Sequence, residues 1–252
     1  MLQNCLQREE RQRRRLVVSL ARCQDDVYEA QRLRFKVFEE EMGARVPGRD
    51  LGIDCDRFDP YCEHLLVRDS GTNHVVGTYR ILNGAMARRI GGFYSDQEFD
   101  LDRLNHLRDE TIEVGRSCVH CDYRTGAAIA LLWSGLVRYM DARGYRYIMG
   151  CASISMADGG HMAARVYRDL QRTSLSPIEY RVFPRCALPL EAYHCTPGGI
   201  IPPLIKGYLR LGAYVCGAPA WDPDFNTADL LIMLPLARMD VRYARRLFKH
   251  AG

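Results

Sequence analysis

"TIEVGRSCVHCDYRTGAAIALLWSGLVRYM", residues 111–140, decides how the rest of the chain is read. Its start, TIEVGRSCV, has the composition of a strand. Beyond it, Ala127, Ala128, Leu131, Leu132, Gly135, Leu136 and Tyr139 recur at helical spacing, and the pattern ends near Gly144. Between the two lies a short basic loop with one glycine, YRTG. A loop that opens a helix offers free backbone N–H groups and the positive end of the helix dipole to an anion. Arg124, Gly126 and Ala127 are the positions that would meet it. The plainer alternative is a tight strand–helix joint in which Gly126 serves only packing.

Outward from this stretch, strands and helices alternate. LVVSLA (16–21) reads as a first strand and DDVYEAQRLRFKVFEEEMG (25–43) as a helix that Gly43 can end. Residues 44–61, rich in Gly, Pro and Asp, form a long irregular segment of the kind that is often functional. HLLVRDSGTNHVVGTYRIL gives two strands joined around Asp69–Asn73, and FYSDQEFDLDRLNHLRDE a short helix before the central strand. YRYIMGCASI is a second central strand, DGGHMAARVYRDLQ a helix, and 176–203 largely loop. PPLIKGYLRLGAYVCG reads as a helix closed near Gly212 or Gly217, and TADLLIMLPL as the last strand. The order predicts one mixed α/β domain around a curved sheet over 16–236, with a basic arm at 1–15 and a basic amphipathic tail at 237–252.

Composition narrows the function classes. The 252 residues, 47% apolar and 26% charged, suit a globular protein with a substantial core. No apolar run reaches the ~18–20 residues of a spanning helix, and the N-terminus lacks a secretory pattern. The expectation is a cytoplasmic protein, with peripheral contact at an anionic membrane left open. Ten cysteines are scattered without a CxxC pair, so reduced thiols and no metal site are expected, although Cys118, His120 and Cys121 lie close in sequence. The net charge of +4 is concentrated at Arg11, Arg13, Arg14 and Arg15 and again at Arg238, Arg242, Arg245, Arg246 and Lys249. Basic ends suit acidic partners or are simply solvated. Zinc-finger and RNA-recognition signatures are missing, so nucleic acid is not an expected partner.

Six blocks in order carry a family resemblance: LRFKVFEEEMG (33–43), DCDRFDPYCEHLLVRD (54–69), VVGTYRIL (75–82), FYSDQEFDL (93–101), IEVGRSCVHCDYRTG (112–126) and GAYVCGAPAWDPDFNTADLLIMLPL (212–236). Together they resemble the bacterial ornithine N-acyltransferases that make lyso-ornithine lipid. More distantly the first half is similar to acyl-homoserine-lactone synthases and N-acyl amino acid synthases. The resemblance spans about residues 16–236. It implies a GNAT N-acyltransferase fold, and transfer of a 3-hydroxyacyl chain from acyl carrier protein to the α-amine of L-ornithine, with no bound cofactor. The phosphate loop has one glycine where GNAT proteins commonly have more. That favours the phosphopantetheine arm of a carrier protein over whole coenzyme A. Acylation of glycine or another amino acid is the alternative acceptor chemistry, and a non-catalytic GNAT-like binding module the alternative class.

Amide formation from a thioester needs a proton acceptor for the amine, stabilisation of the oxyanion, and alignment. Glu113 matches the glutamate of the related synthases and is the expected proton acceptor, paired with Arg116. Strict alternation places these two on opposite strand faces, so a bulge is expected at or near Val114–Arg116. The alternative is a structural ion pair. Arg34, Asp54, Asp59 and Arg80 match recurrent polar positions of the synthase group. Arg34 and Arg80 would hold either Asp59 or the acceptor's carboxylate. Glu63, Asp54 or Asp56 would receive ornithine's side-chain amine. For all of them, anchoring of a loop by ion pairs is an equal alternative. Phe35, Phe38, Phe93, Trp133, Tyr147, Met149 and Met156 are candidates for an acyl-chain wall or for plain core. Arg88, Arg89, Arg124, Arg138 and Arg143 are candidates for a carrier-protein docking patch.

Overall fold

The structure, a computed structural model, describes residues 16–193 and 198–242. The basic arm expected over 1–15 and the tail from 243 onward lie outside the described residues. The elements run β1 (Leu16–Leu20), α1 (Gln24–Phe35), β2 (Glu63–Asp69), β3 (Val75–Asn83), α2 (Gly84–Arg89), β4 (Phe99–Asp100), β5 (Thr111–Val119) and α3 (Ala127–Arg143). They continue as β6 (Tyr147–Ser155), α4 (His161–Thr173), β7 (Phe183–Pro184), α5 (Pro203–Leu211), β8 (Tyr214–Val215), β9 (Ala220–Asp222) and β10 (Thr227–Pro235).

The main sheet has the order β1-β2-β3-β5-β6-β10-β8, with β9 also on β10. Its pairings are antiparallel except β5 with β6. Strand periodicity sorts side chains onto two covered faces. Leu65 and Val67 of β2, with Leu230, Ile232 and Leu234 of β10, join a core under α3, α4 and α5. The intervening Leu66 packs with Ala30, Leu33 and Val37 of the α1 segment, and Leu231 and Met233 pack with Phe58, Phe93 and Phe99. Both faces of the sheet are therefore dry. That explains why β10 reads as a continuous apolar run rather than an alternating one.

One sequence expectation is corrected here. Residues 93–110 are not a short helix: they form a 3₁₀ turn (Tyr94–Gln97), the two-residue β4 and a 3₁₀ stretch (Asp102–Glu110). Their buried residues, such as Ser95, Leu104 and Leu107, lack a sustained 3.6-residue period. The helix read as opened by proline and closed near Gly212 or Gly217 ends at Leu211 with Gly212 at φ 103° as its cap, and Tyr214–Val215 joins the sheet edge. The helix expected over 25–43 is α1 followed by a π-helical turn, Lys36–Glu41, and Gly43 at φ 74° ends it.

The site is created by how β5 and β6 part. They pair only at Thr111–Tyr147, Ile112–Ile148 and Glu113–Met149. Gly150 is the pivot, because a Cβ there would lie 2.2 Å from the Val114 carbonyl oxygen. Beyond it the strands diverge. On β5 the register against β3 slips between Gly115–Arg80 and Cys118–Thr78, so Arg116 and Ser117 together oppose Tyr79. This is a β-bulge with Arg116 in the left-handed region at φ 51°. It lies one step beyond the expected centre.

Candidate active site

The gap between β5 and β6 is a cavity of about 640 Å³. Glu113, Gly115, Arg116 and Ser117 form one wall, and Cys151, Ser153, Asp222 and Asp229 the other. Phe38, Met42, Phe58, Leu204 and Phe225 supply apolar lining. A small apolar recess, bounded by Trp133, Met149 and Ile232, adjoins it and shares Val114, Cys151 and Tyr208.

Glu113 is buried at the point where the strands separate. Its Oε1 accepts from the Ser95 amide at 2.8 Å and the Ser95 hydroxyl at 2.5 Å, and its Oε2 accepts from the Tyr94 amide at 2.6 Å. The 3₁₀ turn at 94–97 thus presents its first amides to this carboxyl. Burial pushes the Glu113 pKa upward, opposed by the Ser95 and Tyr94 hydrogen bonds and by Arg80.

Beside it lies a ring of alternating charges. Arg34, fully buried on α1, donates to Asp54 Oδ2 at 2.8 Å, the Asp54 carbonyl at 2.6 Å, Asp59 Oδ1 at 2.6 Å and Asp59 Oδ2 at 3.1 Å. Arg80 donates to Asp56 at 2.6 Å and to Asp59 at 3.1 Å. Arg116 reaches Asp54 and Asp56, each at 3.2 Å. The Arg116 guanidinium also sits 5.2 Å from the Tyr94 ring centre and 4.7 Å from that of Phe225. Despite the cost of burying Arg34, its two carboxylate partners hold it protonated. Hydrogen bonds and charge from Arg34, with Arg80 behind, hold Asp59 far below the usual carboxylate range. The ring fastens segment 44–62 to α1, β3 and the bulge, and it balances its own charge.

α3 begins at Ala127 after Gly126 at φ 90°, with no side chain capping its first turn, and neither residue lines the cavity. Arg124, just before it in the chain, does line the cavity, donating to the Val119 carbonyl at 3.0 Å and to Glu41 at 2.5 Å. Tyr79 and Tyr208, hydroxyl to hydroxyl at 2.5 Å, join β3 to α5 within the cavity wall.

Residues 33–134 match the model of the acetyltransferase (GNAT) domain. The L-ornithine N(alpha)-acyltransferase of Rhizobium meliloti (strain 1021) is 37% identical over 256 residues, covering 94% of this chain and 86% of that protein. That of Brucella abortus (strain 2308) is 36% identical over 244 residues, covering 90% and 87%. The chain belongs to the L-ornithine N(alpha)-acyltransferase family. Solved structures agree on the GNAT-like fold. An N-acyl amino acid synthase from uncultured soil microbes superposes with TM-score 0.56 at 14% identity, covering 94% of this chain and 97% of that one. A CoA-dependent acyl-homoserine lactone synthase gives TM-score 0.55 at 13% identity, covering 94% and 97%.

Within this acyltransferase the predicted site residues divide. Glu113, Arg116, Arg80 and Arg124 line the cavity. Arg34, Asp54 and Asp59 lie behind the wall as the charge ring, where Arg34 and Arg80 meet at Asp59. Asp54 and Asp56, offered as partners for an acceptor amine, are already neutralised by arginines. Glu63 is brought to a different place: it pairs with Tyr139 and Arg143 of α3, away from the cavity. Of the proposed acyl-wall residues, Phe38 lines the cavity and Trp133 and Met149 the recess, whereas Phe93 is core. Of the five candidate docking arginines, only Arg124 lines the cavity.

Sequence reasoning missed Ser95, Tyr94, Cys151, Glu98, Asp222 and Asp229. One signal was available. Asp229 is the lone acid inside TADLLIMLPL, and a charge in an unbroken apolar strand needs a reason to be there.

Proposed function

We propose that this protein transfers a 3-hydroxyacyl chain from the thioester of acyl carrier protein to the α-amine of L-ornithine, forming lyso-ornithine lipid. The observation that carries this reading is the cavity at the β5–β6 parting, where a buried carboxyl of raised basicity stands beside two arginines. Family membership supplies the acceptor, and the uncapped first turn of α3 behind a single-glycine loop supports the phosphopantetheine arm as donor.

The amine nitrogen attacks the thioester carbonyl carbon, and the C–S bond breaks as the amide forms. Glu113 takes the proton that the α-ammonium must lose, directly or through one water. A carboxyl whose pKa is raised towards neutrality is the stronger base for this step. The amide groups of the bulge residues Arg116 and Ser117, which lack one-to-one partners on β3, are our choice for the oxyanion. Arg80 and Arg116, cavity-lining and rigid, face the acceptor's carboxylate. Arg124, Gly126 and Ala127 receive the pantetheine phosphate. The acyl chain follows the apolar lining from Phe38 and Phe58 towards the recess at Trp133. The thiolate leaves on the carrier and regains a proton there.

No helix among the described residues is long and apolar enough to cross a membrane. An amphiphilic product suits action at the cytoplasmic membrane face, with Arg238 and Arg242 among the basic residues near the C-terminus. Co-sedimentation with anionic but not neutral vesicles tests that placement.

The direct test of the reaction is mass spectrometry of products from purified protein, 3-hydroxyacyl carrier protein and a mixture of amino acids. Acyl-ornithine as the dominant product is expected. A different acyl amino acid would move the acceptor, and no amide at all with an active carrier protein would contradict the reading. The single-glycine loop further predicts slow turnover with acyl-CoA at low concentration.

A further inference from the structure

Two acids of the cavity's second wall, Asp222 and Asp229, and one behind it, Glu98, have no cation among the described residues. Asp229 on β10 is buried at 4% exposure, lines the cavity, and its Oδ1 has no hydrogen-bond partner. The Ser153 and Thr227 hydroxyls are its polar neighbours on the sheet. Ligand atoms of Glu98, Cys151 and Asp229 lie within 4.8 Å of one another, and both Glu98 oxygens are also buried without a partner. Asp222 on β9 lines the same wall, and its Oδ1 accepts from the Asp224 and Phe225 amides. Among the described residues, no Lys, Arg or His forms an ion pair with Glu98, Asp222 or Asp229. Asp54, Asp56 and Asp59, by contrast, are all paired directly with arginines.

Buried carboxyls without partners are costly, so a cluster of them facing a cavity is complementary to a cation that arrives there. Tyr94 stands between the two charge systems. Its ring packs on Arg116, and its phenol lies within electrostatic reach of Glu98, Asp222 and Cys151. Resting on the ornithine acyltransferase reading above, the geometry points to Asp229, with Glu98 behind it and Asp222 alongside, as the receptor for the terminal ammonium of a diamino acid acceptor. The α-carboxylate end then lies at Arg80 and Arg116, and the α-amine at Glu113. An amphoteric acceptor is held by guanidinium donors at one end and an unbalanced acidic cluster at the other. Burial, with mutual repulsion added, pushes Glu98 up to about 9 and Asp229 to about 6. An entering ammonium relieves that repulsion.

The chemistry predicts specificity by side-chain charge. A site built around a buried polar group rejects an analogue that lacks the matching group by up to ~10⁴-fold. Norvaline has the carbon skeleton of ornithine without the terminal amine. In competition, wild-type protein should favour ornithine over norvaline in kcat/KM by at least ~10²-fold. Asp229→Asn should shrink that ratio at least ~30-fold, mostly through a raised KM for ornithine, with norvaline turnover kept or improved. Retained norvaline turnover doubles as the check that the variant folds. Glu98→Gln, further from the cavity, should shrink the ratio less, and it reads the same contact should Asp229→Asn fail to fold.

An unchanged ornithine-to-norvaline ratio in both folded variants would overturn the inference. So would a divalent metal in the purified protein whose chelation removes turnover of both acceptors equally, since the acids would then be metal ligands. Failure of wild-type protein to acylate either amino acid would instead sink the ornithine reading itself, and the inference with it.

Discussion

At the residue scale, the site turns on how differently its carboxyls are housed. Asp59 is surrounded by guanidinium groups and stays ionised. Glu113 is surrounded by neutral donors, and burial raises it above the ordinary value of 4.5. If Glu113 is the proton acceptor, as proposed, activity on the acid side climbs with pH through a midpoint above 4.5, because only its ionised form can take the amine's proton. A kcat–pH profile reads this limb, and Glu113→Gln should remove it. Arg34 lies outside the cavity wall but meets two buried carboxylates. Arg34→Met should leave Asp54 with Arg116 and Asp59 with Arg80 as their only arginine partners, at the longer contacts, and cost about 3–5 kcal/mol, read by denaturant unfolding. Glu113 and Arg116 were legible in the sequence because they sit in a recognisable block. Asp229 was not, because nothing in an apolar strand tells which face it occupies or what shares that face.

At the element scale, the bulge and the strand parting were only half legible. Alternation alone required an irregularity if Glu113 and Arg116 were to face one pocket. The bulge at Arg116–Ser117 supplies it and turns Arg116 towards segment 44–62. The parting at Gly150 left no such trace, since it depends on a backbone-to-backbone approach between β5 and β6. Gly150→Ala should push its Cβ against the Val114 carbonyl. The expected result is a loss of roughly 2–4 kcal/mol with activity falling alongside. Thermal unfolding and turnover measured on the same preparation check it. Residues 93–110 were read as a helix and prove to be 3₁₀ turns. The first two amides of the 94–97 turn, those of Tyr94 and Ser95, donate to Glu113.

At the scale of the whole molecule, charge is partitioned. The arginine–aspartate ring balances itself on one side of the cavity, and an unbalanced acidic cluster occupies the other. This has a consequence for stability. Glu98 goes from 4.5 unfolded to about 9 folded, and Asp229 from 3.8 to about 6. Both are raised acids, so the folded protein binds more protons than the unfolded chain between these values. Stability should fall as pH rises from about 5 to 9, and Glu98→Gln should flatten that decline, stabilising at pH 8 but not at pH 5. Differential scanning calorimetry across that range reads it, and saturating ornithine should raise the melting temperature most at the alkaline end. The fold order itself was legible because ordered blocks and hydrophobic periods report local structure. The pairing of distant acids on β9, β10 and the 94–98 turn is a tertiary event and was not.

The proposed reaction depends on Glu113 acting at the β5–β6 parting. The measurement that tests it most directly is single-turnover acyl transfer from 3-hydroxyacyl carrier protein to ornithine, comparing wild-type protein with Glu113→Gln of matched circular dichroism. A fall in the transfer rate of at least ~10²-fold, with ornithine binding retained, is the predicted result. Equal transfer rates in the two proteins would contradict it and remove Glu113 from the chemistry.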